Sequence, residues 1–412
     1  MSAFNPNEIA KIIQGEGNFL HSAGKFYRYE NGAYRPISDV EIKAIIKQEL
    51  GDKSKIRLID EVLEALRLDT NKESNNINRF GLNVINGMID VEKMRLNAHD
   101  YRFYSTIQFK VEFKPETKCP LFVKTVAEWL DSSEKVSLLQ EFLGYCLTNE
   151  TSQEKILFLV GSGANGKSTL LHVMGSIFGT ENCSAIPLDK LSNRFYQAEL
   201  VGKSINLTSE TPSKSVLCDD AIKSIVSGDL ILGERKFQPP FSFKPKVKFI
   251  VACNEIPRTE DKSDALNRRL LILRFDRTYR DEEQDKTLKE KILQERSGIF
   301  NWMLEGLRNL HIRGYFNEPQ GSVSEREAYR RENNTLILFV EEKCEICEQG
   351  VSRKGEFYDH YKKWCQESGL LPLSKPRLGK ALKEHYKLGE DEMGGAADRY
   401  RVWTGIVLRG VL

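Results

Sequence analysis

Residues Gly161 to Ser168 read GSGANGKS: a glycine, four residues, then glycine, lysine and serine. That spacing suits a phosphate. Glycines at 161, 163 and 166 allow backbone N–H groups to converge on an anion, and Ser162, Ala164, Asn165 and Thr169 complete the loop and the first turn beyond it. Lys167 is placed to reach β and γ phosphates, and Ser168 to coordinate Mg2+. The apolar run KILFLV precedes the loop and STLLHVMGSIFG follows it, so strand, loop and helix N-terminus aim at one point. A loop that merely ends in Lys-Ser is the plainer alternative, and these flanks weigh against it. ATP with Mg2+ is the expected ligand pair.

Hydrolysis needs a carboxylate at the end of a neighbouring strand, to hold the metal's shell or activate water. Glu210, which follows the alternating run SINLTS, supplies one. Asn254 follows the strand-like VKFIVAC and suits a role in orienting water or reporting the γ phosphate, although a lone asparagine there is also a common turn residue. Between Asp229 and Asn254, Arg235, Lys236, Lys244, Lys246 and Lys248 stand against the acid Glu234, and Phe237 adjoins Lys236 near a turn. Lysines can track phosphates while an aromatic stacks on bases without reading them. The competing view is a solvated edge strand guarded by lysines.

These residues need a framework. The 412-residue chain exceeds one compact core, and its 40% hydrophobic and 29% charged residues fit folded domains. A net charge of +2 supplies no whole-molecule field, so any contact with nucleic acid must use local patches. Residues 1–115 mix amphipathic helices (Val40 to Leu50, Ile59 to Leu68) with KFYRYENGAYRPI, whose Asn31-Gly32 suits a hairpin; an α+β domain is expected. Residues 116–152 turn helical and form a collar leading into 153–312, where β-branched runs alternate with helices in the manner of an α/β sheet. Apolar periodicity lapses near 313–334, ahead of a separate module at 330–412.

Eight scattered cysteines in a chain of this size indicate a reducing compartment, and neither a leader nor a run of about 18 apolar residues is evident. A cytoplasmic protein, in a bacterial host, with no membrane partner is expected. Cys344 and Cys347 form a CxxC within FVEEKCEICEQG, which reads as helical, and no second pair at zinc-ribbon spacing supports a metal site.

Taken together, LNVINGMIDVEKMRLNAHDY, CPLFVKTVAEWL, LLQEFLGYCLTNET, the glycine loop, the stretch from SETPSKS to ACNEIP, and DALNRRLLILRF cover roughly residues 80 to 280. In these the chain resembles superfamily 3 helicases, most closely the primase-helicases of phages, plasmids and poxviruses. The resemblance implies a P-loop NTPase core of AAA+-like type with a C-terminal winged helix. It makes Glu210 the Walker B acid, Asn254 the sensor and Arg269 the finger that completes a neighbouring subunit's site, with Arg268 its rival. It also implies a hexameric ring moving 3′ to 5′ on single-stranded or forked DNA, with Arg235, Lys236, Phe237 and Lys244 on a channel hairpin.

The tail reads as helix, turn, helix, then strands, and resembles a winged helix; Arg377, Lys380 and Lys383 on its second helix suit a DNA contact, with partner recruitment as the competitor. Too little chain precedes the resemblance for a primase domain, so primer synthesis is not expected, and a separate primase or other replication proteins are candidate partners. Two other functions remain open at this point: an ATP-dependent origin-binding initiator that does not unwind, and a small-molecule P-loop kinase.

Overall fold

Asn5 starts the first helix, α1 (Pro6–Gly17), by accepting a hydrogen bond from the Asn7 amide, with Pro6 fixed at the first helical position. The computed structural model describes residues 5–73, 76–209, 216–259, 264–370, 372–395 and 398–409. Strands β1 (Phe19–Ser22), β2 (Lys25–Glu30) and β3 (Ala33–Ile37) follow as an antiparallel sheet. Asn31 and Gly32 turn β2 into β3 with φ of 51° and 85°, the left-handed pair that a tight hairpin requires. Helix α2 (Asp39–Leu50) opens with a Ser38–Glu41 capping box, and α3 (Ile56–Thr70) packs with α1 over Ile13, Phe26, Ile46, Val62 and Leu66. A second meander, β4 (Leu82–Val84), β5 (Gly87–Asp90) and β6 (Arg95–Asn97), leads to an extended stretch that buries Phe109, Val111 and Phe113.

Two helices then carry the chain into its largest core: α4 (Pro120–Leu130), stopped by Asp131 at φ 47°, and α5 (Ser133–Tyr145), capped by Ser132. Strand β7 (Ile156–Val160) is buried at every position. After α6 (Lys167–Phe178) come β8 (Cys183–Ser184), α7 (Arg194–Ala198), β9 (Ile205–Ser209), α8 (Asp219–Ser227), a hairpin of β10 (Ile231–Gly233) and β11 (Phe241–Phe243), then β12 (Lys248–Cys253), α9 (Asp264–Asn267) and β13 (Leu270–Arg274). The five-stranded sheet is parallel in the order β13-β7-β12-β9-β8. Strand β7 thus lies between the last two strands of the sheet in chain order, where the winding changes direction. Such a switch point leaves a crevice at the carboxyl ends of the strands. Helices α10 (Leu288–Gln294) and α11 (Arg296–Arg313) close this unit, and α11 lies along α5 so closely that a Cβ on Gly144 would collide with the Met303 carbonyl oxygen.

The chain divides into two compact units, Met1–Val323 and Ser324–Leu412, with the division inside α12 (Gln320–Glu332). The second unit contains α13 (Thr335–Lys343), β14 (Cys344–Arg353), α14 (Lys354–Glu367), α15 (Lys375–Tyr386), β15 (Gly389–Met393) and β16 (Tyr400–Leu408), with antiparallel order β14-β16-β15. Phe339, Phe357, Tyr361, Trp364, Leu382 and Trp403 fill its core. The CxxC stretch differs from its helical expectation. Helix α13 ends at Lys343, and Cys344 onward pairs with β16, with a register shift between Ile346 and Val351; cross-strand pairing overrides the local helical pattern.

The tight α5–α11 crossing yields a stability test. Gly144→Val should lower stability by roughly 1–3 kcal/mol or more, because backbone on α11 must move to admit the side chain. Thermal melts of wild type and variant read this directly, and an unchanged midpoint would contradict the packing described.

Candidate functional site

At the carboxyl end of β7 the Gly161 amide donates to the Cys253 carbonyl at 3.2 Å, and the Phe275 amide donates to the Val160 carbonyl at 2.7 Å. Both neighbouring strands therefore hold the root of the glycine loop. Gly163, Ala164 and Gly166 take φ of 64°, 49° and 94°, the left-handed conformations from which backbone amides can line an anion site. A Cβ on Gly166 would collide with the indole of Trp129, so the collar helix α4 admits no side chain there. Ser162, Gly163, Ala164 and Ser168 are exposed and Thr169 is half-buried; Asn165 is buried and donates to the Phe275 carbonyl at 3.3 Å. The Tyr279 amide donates to the Ala164 carbonyl at 2.9 Å, and the hydroxyls of Ser162 and Thr278 lie 3.2 Å apart.

Lys167 is 6% exposed. Its ammonium is folded over the loop, donating to the Gly161 carbonyl at 2.5 Å and to Asn165 Oδ1 at 2.8 Å. Burial lowers its pKa below the usual lysine value. Lys167 is also the first residue of α6, so the loop brings an ammonium and a helix N-terminus together, a combination suited to an anion. Asn254 is exposed one residue beyond β12, on the strand that borders β7. Glu210 follows the end of β9 at Ser209 and lies outside the described residues.

Two residues at this edge escape a motif search. Arg274 ends β13 in register with Val160, and its charge joins that of Lys167 in opposing the rise of the Cys253 thiol, which burial drives up to about 12. Trp129 backs Gly166. Counting strand register from the glycine loop finds the arginine, whereas the tryptophan's place depends on how α4 packs.

The paired arginines sit at the other end of β13. Arg269 is 7% exposed and is turned inward: Nη2 donates to Glu154 Oε2 at 2.6 Å and to Ser227 Oγ at 2.9 Å, and Nη1 donates to the Ala265 carbonyl at 2.5 Å. Its guanidinium is committed within its own chain, unlike the reach to a neighbour expected from the sequence. Arg268 beside it is exposed.

The β10–β11 hairpin presents an exposed Lys236 and a Phe237 at 104% relative exposure with φ 63°. Lys244 is also exposed, just past β11. Arg235 differs from the expected DNA-facing placement. It donates from Nη1 to the Ala23 carbonyl at 3.2 Å and lies 4.5 Å from the Phe241 ring centroid, anchoring the hairpin to the β1–β2 turn. Lys248, grouped with these cations in the sequence, is instead 2% exposed inside the sheet. It donates to the Thr148 and Lys246 carbonyls at 2.5 and 2.9 Å and faces the Tyr145 ring. In the second unit Arg377, Lys380 and Lys383 are all exposed on α15; Lys383 pairs with Glu390 at 3.0 Å and Lys380 with Glu384 at 3.7 Å. None of the eight cysteines is in a disulfide, and among the described residues no group of three ligating side chains could hold a metal ion. No helix among them is long and apolar enough to cross a membrane.

The fold is thus a mixed α/β architecture built on a parallel sheet, like that of the NrS-1 C-terminal region. Its A form apo structure superposes with a TM-score of 0.59 at 13% identity, covering 98% of this chain and 100% of that one, and a second apo structure, of residues 305–718, gives 0.56 at 14% with the same coverage. Residues 9–131 match a family described as D5 N terminal like, residues 331–400 one described as Poxvirus D5 protein-like, and residues 159–269 a family of unknown function, DUF5906. Two viral proteins named as helicases are similar in sequence: V13 of Sputnik virophage, 25% identical over 65% of this chain, and L207/L206 of Acanthamoeba polyphaga mimivirus, 23% identical over 57%. The matched stretches are 37% and 27% of those proteins' lengths, so the chain corresponds to only part of each. The D5-type domain matches and the viral relatives named as helicases support the phage and poxvirus-type primase-helicase family as the one this chain resembles.

Lys248 gives the site region a pH-dependent property. Burial drops its pKa from 10.5 to about 7. Above pH 10.5 the amine is neutral in both states. As pH falls toward 7 the unfolded chain alone takes up the proton, so folding loses stability across that window. Lys248→Met removes the effect. The stability of wild type minus that of the variant should drop by a few kcal/mol from pH 9.5 to pH 7, at about 1.4 kcal/mol per pKa unit. Urea titrations at both values check this, and a pH-independent difference would contradict it.

Proposed function

We propose that the chain is the ATP-driven motor of a viral or plasmid replicative DNA helicase of superfamily 3, working as a hexameric ring on one DNA strand. The observation that carries this reading is a single unit holding both a glycine loop at the switch point of a parallel sheet and a projecting hairpin with Lys236 and Phe237 at its exposed turn. The similarity to proteins named as helicases supports it. A small-molecule kinase would give the hairpin no task.

The cradle suits a nucleotide phosphate: side chains at Gly161 or Gly166 would strike Phe275 or Trp129, and Gly163 and Gly166 take the left-handed conformations that let backbone approach an anion. In this reading Gly161 through Thr169 enclose the phosphates and Lys167 exchanges its two loop acceptors for phosphate oxygens. Ser168 and Glu210 would hold Mg2+, which would neutralise phosphate charge. Asn254 orients the attacking water, and Glu210 serves as the Walker B carboxylate.

The finger passes from Arg269 to Arg268. Arg269 would have to break an ion pair and two further hydrogen bonds before reaching a neighbour, whereas Arg268 is already in solvent beside it. Both stand at the amino end of β13, away from their own chain's glycine loop. An exposed guanidinium there suits the site of the next subunit around a ring. On the DNA side Lys236 and Lys244 contact phosphates and Phe237 packs on bases or sugars. Arg235 holds the hairpin root. The second unit is read as a winged helix whose Arg377 and Lys380 add a DNA contact, with Lys383 restrained by Glu390.

Strand-displacement assays test the reading. Lys167→Ala should abolish ATP turnover and unwinding, while Lys236→Ala should abolish unwinding and spare nucleotide binding. Unwinding by Lys236→Ala at the wild-type rate would remove the hairpin assignment.

The two arginines should separate by assay. Arg268→Ala should melt like wild type yet lose ATPase activity by roughly 10³-fold, and mixing it with Glu210→Ala subunits should restore part of the rate. Arg269→Ala should lower stability by on the order of 1–3 kcal/mol, because Glu154 and Ser227 lose their partner. Full ATPase activity in Arg268→Ala would overturn the choice between them.

A further inference from the structure

Between the β4–β6 meander and the foot of the hairpin lies a cavity of about 1240 Å³, larger than the roughly 300–1,000 Å³ of a small-molecule pocket. Its wall carries Arg79, Lys93, Lys203, Lys244, Lys246 and Arg308 against Asp90, Glu92 and Glu150. The chain as a whole is balanced, with 61 basic and 59 acidic residues, so this bias is local. Two of the acids are already engaged, Asp90 with Lys93 at 3.7 Å and Glu150 with His311 at 3.2 Å. Arg79, Lys244 and Arg308 are exposed, with Arg79 Nη1 donating to Asn76 Oδ1 at 3.2 Å.

The floor has a different character. Phe80 is 56% exposed and is backed by the Phe103 ring at 5.8 Å between centroids, with Met88 and Leu307 on the same wall. Cations around an exposed aromatic ring suit a flexible polyanion with flat bases: phosphates meet the rim while a base stacks on Phe80, whatever its identity. Lys244 and Lys246 also belong to the segment that leaves the hairpin, so the cavity begins where the hairpin ends.

We propose that this cleft binds a short stretch of single-stranded nucleic acid, at a site distinct from the hairpin tip and continuous with it. The proposal rests on the helicase reading and adds a second DNA contact, on the face formed by the meander. Its contacts, cations to phosphates and Phe80 to a base, are independent of base sequence.

Fluorescence anisotropy of the full chain with a labelled oligothymidylate tests it. The double variant Arg79→Ala, Arg308→Ala should bind about tenfold or more weakly, and its plot of log affinity against log salt should flatten by about 1.4, near 0.7 for each phosphate that is no longer neutralised. Phe80→Ala should weaken binding by about tenfold with the slope retained. All of these side chains are exposed and remote from the glycine loop, so DNA-free ATPase activity should match wild type. Photocrosslinking of bromodeoxyuridine-substituted strand to wild type should label the peptides containing Phe80 or Phe103. Wild-type affinity and salt slope in these variants, or crosslinks confined to the hairpin while Lys236→Ala weakens binding, would overturn the cleft assignment alone. Failure of wild type to bind the strand at all would overturn the helicase reading and the cleft with it.

Discussion

Everything in the first unit depends on β7 being paired in parallel on both sides. Strand β12 holds one edge and β13 the other, and the amides of Gly161 and Phe275 extend those ladders to the first residue of the glycine loop. All five residues of β7 are apolar and buried, with Lys155 before the strand and Gly161 after it, so a shift in register would draw one of these into the sheet. The loop is thereby fixed at one end by the sheet and at the other by α6, whose first residue is Lys167. Trp129 presses on Gly166 from outside, so the collar is part of the loop's support as well as a connection into the core.

The same pairing sorts charge between the two ends of the sheet. Lys167, Asn254 and Arg274 gather at the carboxyl end, while Arg268, Arg269 and Lys248 begin strands at the amino end. The five residues of β13 span roughly 15 Å at about 3.3 Å each, too far for Arg268 to serve the loop of its own chain. This separation gives the shared-site reading its physical basis. The inward ion pair of Arg269 with Glu154 fixes the turn into β13, and its neighbour's charge stays in solvent.

Much of this is legible in the residues. The runs KILFLV, SINLTS, VKFIVAC and LLILRF form strands as their apolar and β-branched character indicates, and Asn31-Gly32 makes the hairpin its conformational freedom favours. Those signals are local. The order β13-β7-β12-β9-β8 is not local, and neither are the half-buried place of Arg235 and the buried places of Lys248 and Arg269, three cations that composition places on the surface. Each is held by carbonyls or a carboxylate from distant segments: Ala23, Thr148 and Glu154. The strand at Cys344–Arg353 escapes a local reading for the same reason, since its partner β16 lies some fifty residues away in sequence. Glu210 lies outside the described residues, and its role continues to rest on its position after β9.

The central claim is a nucleotide site completed by a second copy of the chain. Its most direct measurement is ATP turnover per chain across a dilution series, with DNA present and oligomer mass recorded at each concentration. The shared site predicts specific activity that rises steeply as rings assemble and vanishes in monomer. Constant activity per chain down to concentrations where only monomer remains would contradict it.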